Sequence, residues 1–313
     1  MIKSVLLSLY KTAYRIAAKT PLRKVKGAFA FSDVLFRLLS PTSGGIVDIQ
    51  GSKMEINLKD PDPVMRKTFH GYCTERVHER ETTTLFARIV KPGDTVVDLG
   101  ANIGYFTLLF SRLVGPAGKV FAFEPEPKNF AYLRRNIEIN NYKNITALEK
   151  AASDKNGTTK LFVCSYDTGH HTINQYEGVD AYRRGKPSEK KSIDIEMVRL
   201  DDFLRGKTPR VDVVKMDVEG AEPLAIAGMD GILKTNPNIK IVMEFFPLLI
   251  QAMGRSPKEF FEQLRGYEFK IFLIGGEYSM EKDAGDWPEI KNYAELERLM
   301  KEPDFHVNFY LVR

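Results

Sequence analysis

The chain has 313 residues, 43% of them hydrophobic, which is length and apolar content for one large buried core rather than a disordered or fibrous polymer. Its two cysteines, Cys73 and Cys164, have no CxxC partner and no metal-ligand spacing, so a disulfide scaffold and a zinc site are excluded and a reducing cytoplasm is expected. The net charge of +5 is uneven: residues 1–44 carry Lys3, Lys11, Arg15, Lys19, Arg23, Lys24, Lys26 and Arg37 against Asp33 alone, a balance of +7 that leaves −2 for the remainder.

Within residues 1–44, Ile2, Val5, Leu6, Leu9, Ile16 and Ala17 fall near helical spacing with the basic residues between them. This predicts a basic amphipathic helical extension. Two readings stay open: it lies on an anionic membrane surface, or it packs on the body or on another copy of the chain. No apolar run reaches the ~20 residues that span a bilayer, and residues 5–9 fall short of the roughly 7–15 of a secretory leader. A cytoplasmic protein is expected, either free or peripheral on the inner membrane face, with no nucleic-acid partner.

Residues 45–90 predict a hairpin about Gly51-Ser52 and then a helix over 79–90, closed by Lys91-Pro92-Gly93-Asp94. From residue 91 to 313 apolar runs alternate with helical patterns. Strands are expected over 95–99, 119–124, 145–149, 158–164, 193–200, 211–216, 238–243, 267–274 and 307–312. Helices are expected over 106–113, 125–140, 221–233, 257–264 and 291–301. This predicts an α/β fold, doubly wound and mostly parallel, with helices on both faces and ligands at the carboxyl ends of the strands. Between two of the strands lies a long polar loop, 165–191, with His170 and His171 near its start and Arg183, Arg184, Lys186, Lys190 and Lys191 near its end. Loops of this length are functional or disordered, and a solvated basic loop remains the alternative to a substrate loop.

Residues 95–107 read Thr-Val-Val-Asp-Leu-Gly-Ala-Asn-Ile-Gly-Tyr-Phe-Thr: a buried strand, a glycine turn and the opening of a helix. Such a turn offers backbone N–H groups and a helix N-terminus to an anionic or polar ligand. A dinucleotide fingerprint needs two more glycines, where Asn102 and Tyr105 stand, which argues against a nicotinamide enzyme. Asp98-x-Gly100-x-Asn102-x-Gly104 instead resembles the first motif of the Rossmann-like S-adenosylmethionine methyltransferases, and Glu124, at the end of the next strand, is placed for ribose hydroxyls.

Leu200-Asp201-Asp202-Phe203, Val213-Val214-Lys215-Met216-Asp217-Val218-Glu219-Gly220-Ala221-Glu222 and Ile241-Val242-Met243-Glu244 follow in order. With the glycine turn they are similar to the FkbM family of methyltransferases over about residues 81–247. The resemblance implies a Rossmann-like class I methyltransferase fold on a mostly parallel seven-stranded sheet. It further implies S-adenosylmethionine as cofactor, held by Asp98, Gly100, Ala101, Asn102, Gly104, Glu124 and Pro125. Lys150 and Ala151 would edge the adenine, and Glu81 would lie against the methionine end unless it is only a first-turn acid. It also implies O-methylation of a sugar or similar hydroxyl.

A hydroxyl acceptor needs its proton taken. Asp217, Glu219 and Glu244 gather at neighbouring strand ends, and His171 is a further candidate from the loop. Lys215 is expected to pair with one of these acids, while Glu222 serves equally as a first-turn acid. Three carboxylates also suit Mg²⁺, but no His-x-His or other dedicated spacing supports a metal, and none is expected. An N- or C-methyltransferase, and a non-catalytic binding module on the same fold, are the remaining readings.

Overall fold

In the computed structural model the described residues are 45–57, 71–72, 77–163, 171–173, 191–274, 287–301 and 305–313, with 9, 10, 12, 13, 34 and 38 besides. The chain divides into two compact units, residues 1–79 with 165–169, and residues 80–164 with 170–313. Most of the expected N-terminal segment, the basic part of loop 165–191 except Lys191, and His170 lie outside the described residues.

In the smaller unit, β1 (Gly45–Ile49) and β2 (Ser52–Ile56) form the expected hairpin. Gln50 and Gly51 both take positive φ, 48° and 76°, the two-residue turn whose twist matches that of paired strands. Met54 and Ile56 are buried. Leu9, Val34 and Leu38 are exposed, at 62, 48 and 66%.

The larger unit opens with α1 (Arg80–Ile89), then β3 (Thr95–Leu99), α2 (Tyr105–Val114), β4 (Lys119–Phe123), α3 (Pro127–Asn140) and β5 (Ile145–Leu148). β6 (Ala151–Ser153), β7 (Gly157–Val163) and β8 (Lys191–Arg199) follow, then α4 (Leu200–Leu204) and β9 (Val213–Met216). The rest is α5 (Glu222–Ala227), α6 (Asp230–Thr235), β10 (Lys240–Phe245), α7 (Pro247–Ala252), α8 (Pro257–Gly266), β11 (Lys270–Ile274), β12 (Glu289–Ile290), α9 (Tyr293–Glu297) and β13 (Val307–Val312).

The main sheet runs β12-β11-β13-β10-β9-β3-β4-β5. The five strands from β10 to β5 are parallel neighbours, and β13 is antiparallel to both β10 and β11. The Rossmann-like α/β architecture is therefore realised, with a correction of number: the sheet has eight strands, the two-residue β12 extending the edge beside β11. Alternation along β4 shows both faces covered. Phe121 and Phe123 pack with Leu204, Ile226 and Leu233, whereas Ala122 packs with Leu133 of α3. On α2, Phe106 and Phe110 meet Phe86 of α1 at 5.4 and 4.7 Å between ring centroids.

Two further expectations are corrected. A strand absent from the expected set occurs after β5: β6 pairs parallel with β8, which pairs antiparallel with β7, in a separate three-stranded sheet. The helix expected over 221–233 is two helices broken at Gly228-Met229. A Cβ on Gly228 would stand 2.0 Å from the Ser153 carbonyl oxygen, so only glycine fits where β6 passes. Asp201 secures the break, receiving Gly231 N–H at 3.0 Å and Ile232 N–H at 2.9 Å, which caps α6. No helix among the described residues is long and apolar enough to cross a membrane.

Candidate active site

The carboxyl ends of β3, β4, β9 and β10 lie side by side because their registers are parallel and in step. At the end of β3 the chain turns through Gly100, Asn102 and Gly104, with φ of 74°, 50° and 100°. Only glycine fits the first position. A Cβ on Gly100 would stand 1.8 Å from the carbonyl oxygen of Asp217, so the glycine turn and the loop after β9 are in direct backbone contact.

Glu124 holds this turn in place. Its Oε2 accepts Asn102 N–H at 2.7 Å and its Oε1 accepts Glu126 N–H at 2.9 Å. It is 5% exposed, and burial pushes its carboxyl up to about 7 despite the two backbone donors. Each oxygen keeps a second lone pair, so a diol can still be received on the side away from the backbone. Glu126 in turn caps α3 by accepting Asn129 N–H at 2.7 Å.

Asp98 lies deep in β3. It is fully buried, accepts the Thr107 hydroxyl at 2.5 Å and faces Lys215 Nζ at 3.8 Å. Burial raises its carboxyl above the usual range, against the opposing pull of Lys215 and Thr107. Asp98 thus braces the first turn of α2 through Thr107 and faces the Lys215 ammonium. Ala101 is buried, Asn102 and Pro125 half-buried, all within the turn region.

Asp217, Glu219 and Glu244 come together as the sequence implies: one carboxylate oxygen from each lies within 4.8 Å of the others, and all three side chains are half-buried. The loop that carries two of them is tight, with Glu219 at φ 54° and Gly220 at φ 93°. Glu222 braces it from α5. Its Oε1 accepts Val218 N–H at 3.1 Å, and burial pushes its carboxyl up to about 7. Its Oε2 is buried without a hydrogen-bond partner.

The segment 171–173 crosses this loop. Thr172 pairs with Phe162 through the backbone and donates its hydroxyl to the Glu219 carbonyl at 3.1 Å. His171, half-buried, is next in the chain to that contact. Lys150 instead pairs with Glu196 of β8, and Ala151 is a buried member of β6 packed against Leu161, Ile195 and Met197. Glu81 is half-buried in the first turn of α1, whose neighbouring Thr83 shares a hydrogen bond with Tyr105 at 3.2 Å.

The donor set fits a nucleoside carrying a positive charge: a carboxylate for ribose hydroxyls and further acids nearby, while the N–H groups of the turn are already taken by the Phe123 and Ala101 carbonyls and the Glu124 and Asn102 side chains. Comparison with known proteins agrees. The methyltransferase FkbM domain model matches residues 98–273. Methyltransferase sdnD of Sordaria araneosa is 34% identical over 43% of this chain and 60% of its own length. The 31-O-demethyl-FK506 methyltransferase FkbM of Streptomyces tacrolimicus is 27% identical over 77% of this chain and 91% of its own. The hexuronic acid methyltransferase AglP of Haloferax volcanii is 26% identical over 50% and 59%. The chain thus spans about 60% of the length of the first of these relatives.

Proposed function

This chain belongs to the FkbM methyltransferase family, and on that premise we propose that it methylates a hydroxyl of a sugar or similar polyhydroxy molecule, using S-adenosylmethionine. The observation that carries this reading is the meeting of Asp217, Glu219 and Glu244 within 4.8 Å, beside the turn that Glu124 holds. Relatives named for O-methylation and for hexuronic acid support the acceptor class.

S-adenosylmethionine, when bound, supplies an electrophilic methyl group on a sulfonium. Glu124 and the Gly100–Gly104 turn hold the nucleoside. Asp217, as base, would accept the acceptor's hydroxyl proton as the hydroxyl oxygen takes that methyl group. Glu219 and Glu244 accept hydrogen bonds from neighbouring hydroxyls, which favours a diol over a simple alcohol. Asp217 works from the strand end without a resident metal in this reading. Mg²⁺ at the same three oxygens is the alternative, and turnover that survives exhaustive chelation removes it.

Calorimetric titration with S-adenosylmethionine and with NAD tests the cofactor. Labelled S-adenosylmethionine given to glycan, lipid and protein fractions tests the acceptor. Label arriving on nitrogen or carbon, with Asp217→Asn leaving turnover intact, favours an N- or C-methyltransferase. Binding of neither nucleotide favours a non-catalytic module.

We also propose that residues 1–44 dock the enzyme on an anionic surface, at the inner face of the cytoplasmic membrane. Their +7 charge and the exposure of Leu9, Val34 and Leu38 support this. Full-length protein should float with phosphatidylglycerol vesicles, and a Leu9→Asp/Leu38→Asp variant should not; equal partitioning favours packing against another copy.

A further inference from the structure

Lys215 lies on β9, in register with Asp98 of β3 and Val242 of β10, and only 8% of its side chain is exposed. Lysine ordinarily runs its stem along apolar surface and leaves its ammonium in water; this one turns inward. Its Nζ donates to the Gly100 carbonyl at 2.8 Å, lies 3.3 Å from Asp217 Oδ2 and 3.8 Å from Asp98 Oδ1. The Phe106 ring centroid is 5.7 Å away. One cation therefore touches the cofactor turn, the acid expected to meet the acceptor, and the buried acid beneath them both.

We infer that Lys215 is a positioning residue that fixes the Asp217 carboxylate against the Gly100 turn. The inference rests on the functional reading above, in which the turn seats the reactive methyl and Asp217 takes the proton. Backbone contacts already align the two loops, since Asp217 N–H donates to the Leu99 carbonyl at 3.1 Å and the Gly100 Cα abuts the Asp217 carbonyl. They do not fix the side chain. The Asp217 side chain is 38% exposed, so without a partner it would sample several rotamers. Methyl transfer needs near-linear alignment, and a displacement of about 1 Å is enough to slow such a step markedly. The other charged groups around this point, Glu124, Glu219, Glu222 and Glu244, are acidic and would push the carboxylate away rather than hold it. Asp98, wholly buried, anchors the ammonium from the far side.

Lys215→Met keeps most of the stem and removes the ammonium. Turnover is read as S-adenosylhomocysteine formed with a hexuronic acid glycoside. It should fall by about tenfold or more, while the Kd for S-adenosylmethionine changes by less than about threefold. In an Asp217→Asn background the same replacement should cost less than about twofold, because the group it positions is already gone. Equal losses in both backgrounds, or unchanged turnover in Lys215→Met, overturn the inference. Removing the cation strands the buried Asp98 charge and threatens the fold. The comparison is therefore repeated with Asp98→Asn in every arm, which keeps an acceptor for Thr107, and the same criteria apply. A wild-type protein that transfers no methyl group strikes the functional reading and this inference together; absent coupling in an active enzyme strikes Lys215 alone.

Discussion

Asn102 N–H donates to Glu124 Oε2 at 2.7 Å, so the acid at the end of β4 is tied to the turn at the end of β3 before any ligand arrives. The carboxylate proposed for ribose is held by the same loop that is proposed to receive the adjoining part of the nucleoside. Preorganisation of this kind lowers the ordering cost of binding.

Replacing Glu124 by glutamine keeps the shape but turns one acceptor into a donor. Either Asn102 N–H or Glu126 N–H then loses its partner, and a ligand hydroxyl loses a charged acceptor. Hydrogen bonds to charged groups contribute about 1.5–3 kcal/mol each, so the Kd for S-adenosylmethionine should rise by roughly tenfold to a hundredfold. Calorimetry checks this, and circular dichroism should show the fold retained.

Gly100→Ala should be far worse than Gly115→Ala, although both glycines have positive φ, 74° and 66°. Positive φ strains a residue with a side chain at both positions, and at Gly115, where ψ is −172°, the cost is about 1–3 kcal/mol. At Gly115 nothing lies within 4 Å of the added Cβ, whereas at Gly100 it would stand 1.8 Å from the Asp217 oxygen. Only the second therefore forces the glycine turn and the Asp217 loop apart. Thermal unfolding should show a drop in Tm for Gly115→Ala with S-adenosylmethionine binding kept, and a larger drop with loss of that binding for Gly100→Ala.

The order of strands at the site was readable because its signals are local: an apolar run, a glycine turn, a helix opening. Asp217, Glu219 and Glu244 could be grouped from sequence because parallel strands bring their carboxyl ends to one edge. Asp98 could not be placed the same way. All five residues of β3 are buried, so alternation gives no inside and outside, and the contacts that show where its carboxylate goes, with Thr107 in the first turn of α2 and Lys215 on another strand, are tertiary. β6 escaped notice because Ala151-Ala152-Ser153 carries no β-branched or aromatic residue, and its pairing with β8 spans the whole of loop 165–191. The break at Gly228 is invisible for a similar reason: Asp201, which caps α6 after it, belongs to another element.

Asp217→Asn should reduce turnover by about 10² to 10⁴, the usual contribution of a positioned base, with little change in the Kd for S-adenosylmethionine. The Asp217 carboxylate reaches the cofactor turn through Lys215, whose Nζ also donates to the Gly100 carbonyl, while its backbone contacts with the turn are unchanged by the substitution. Initial rates against acceptor concentration, set beside calorimetric binding, separate the two effects.

The pH dependence of binding and of stability should run in opposite directions. Glu124 and Glu222 both have carboxyls raised from 4.5 to about 7 by burial. The folded state therefore holds these protons more tightly than the unfolded chain does. Their contribution to stability is complete below about pH 4.5 and is lost as pH rises through about 7, at most roughly 3 kcal/mol for each group. Binding follows the other sign, because two ribose hydroxyls are received better by the ionised Glu124. The Kd for S-adenosylmethionine should fall by up to about tenfold per unit as pH rises toward 7 and then level off. Binding near pH 6 should also release a proton, seen as a calorimetric enthalpy that depends on the buffer's ionisation heat. Glu124→Gln should abolish that proton release and flatten the binding curve, while Glu222→Gln should leave both in place and alter only the pH slope of Tm.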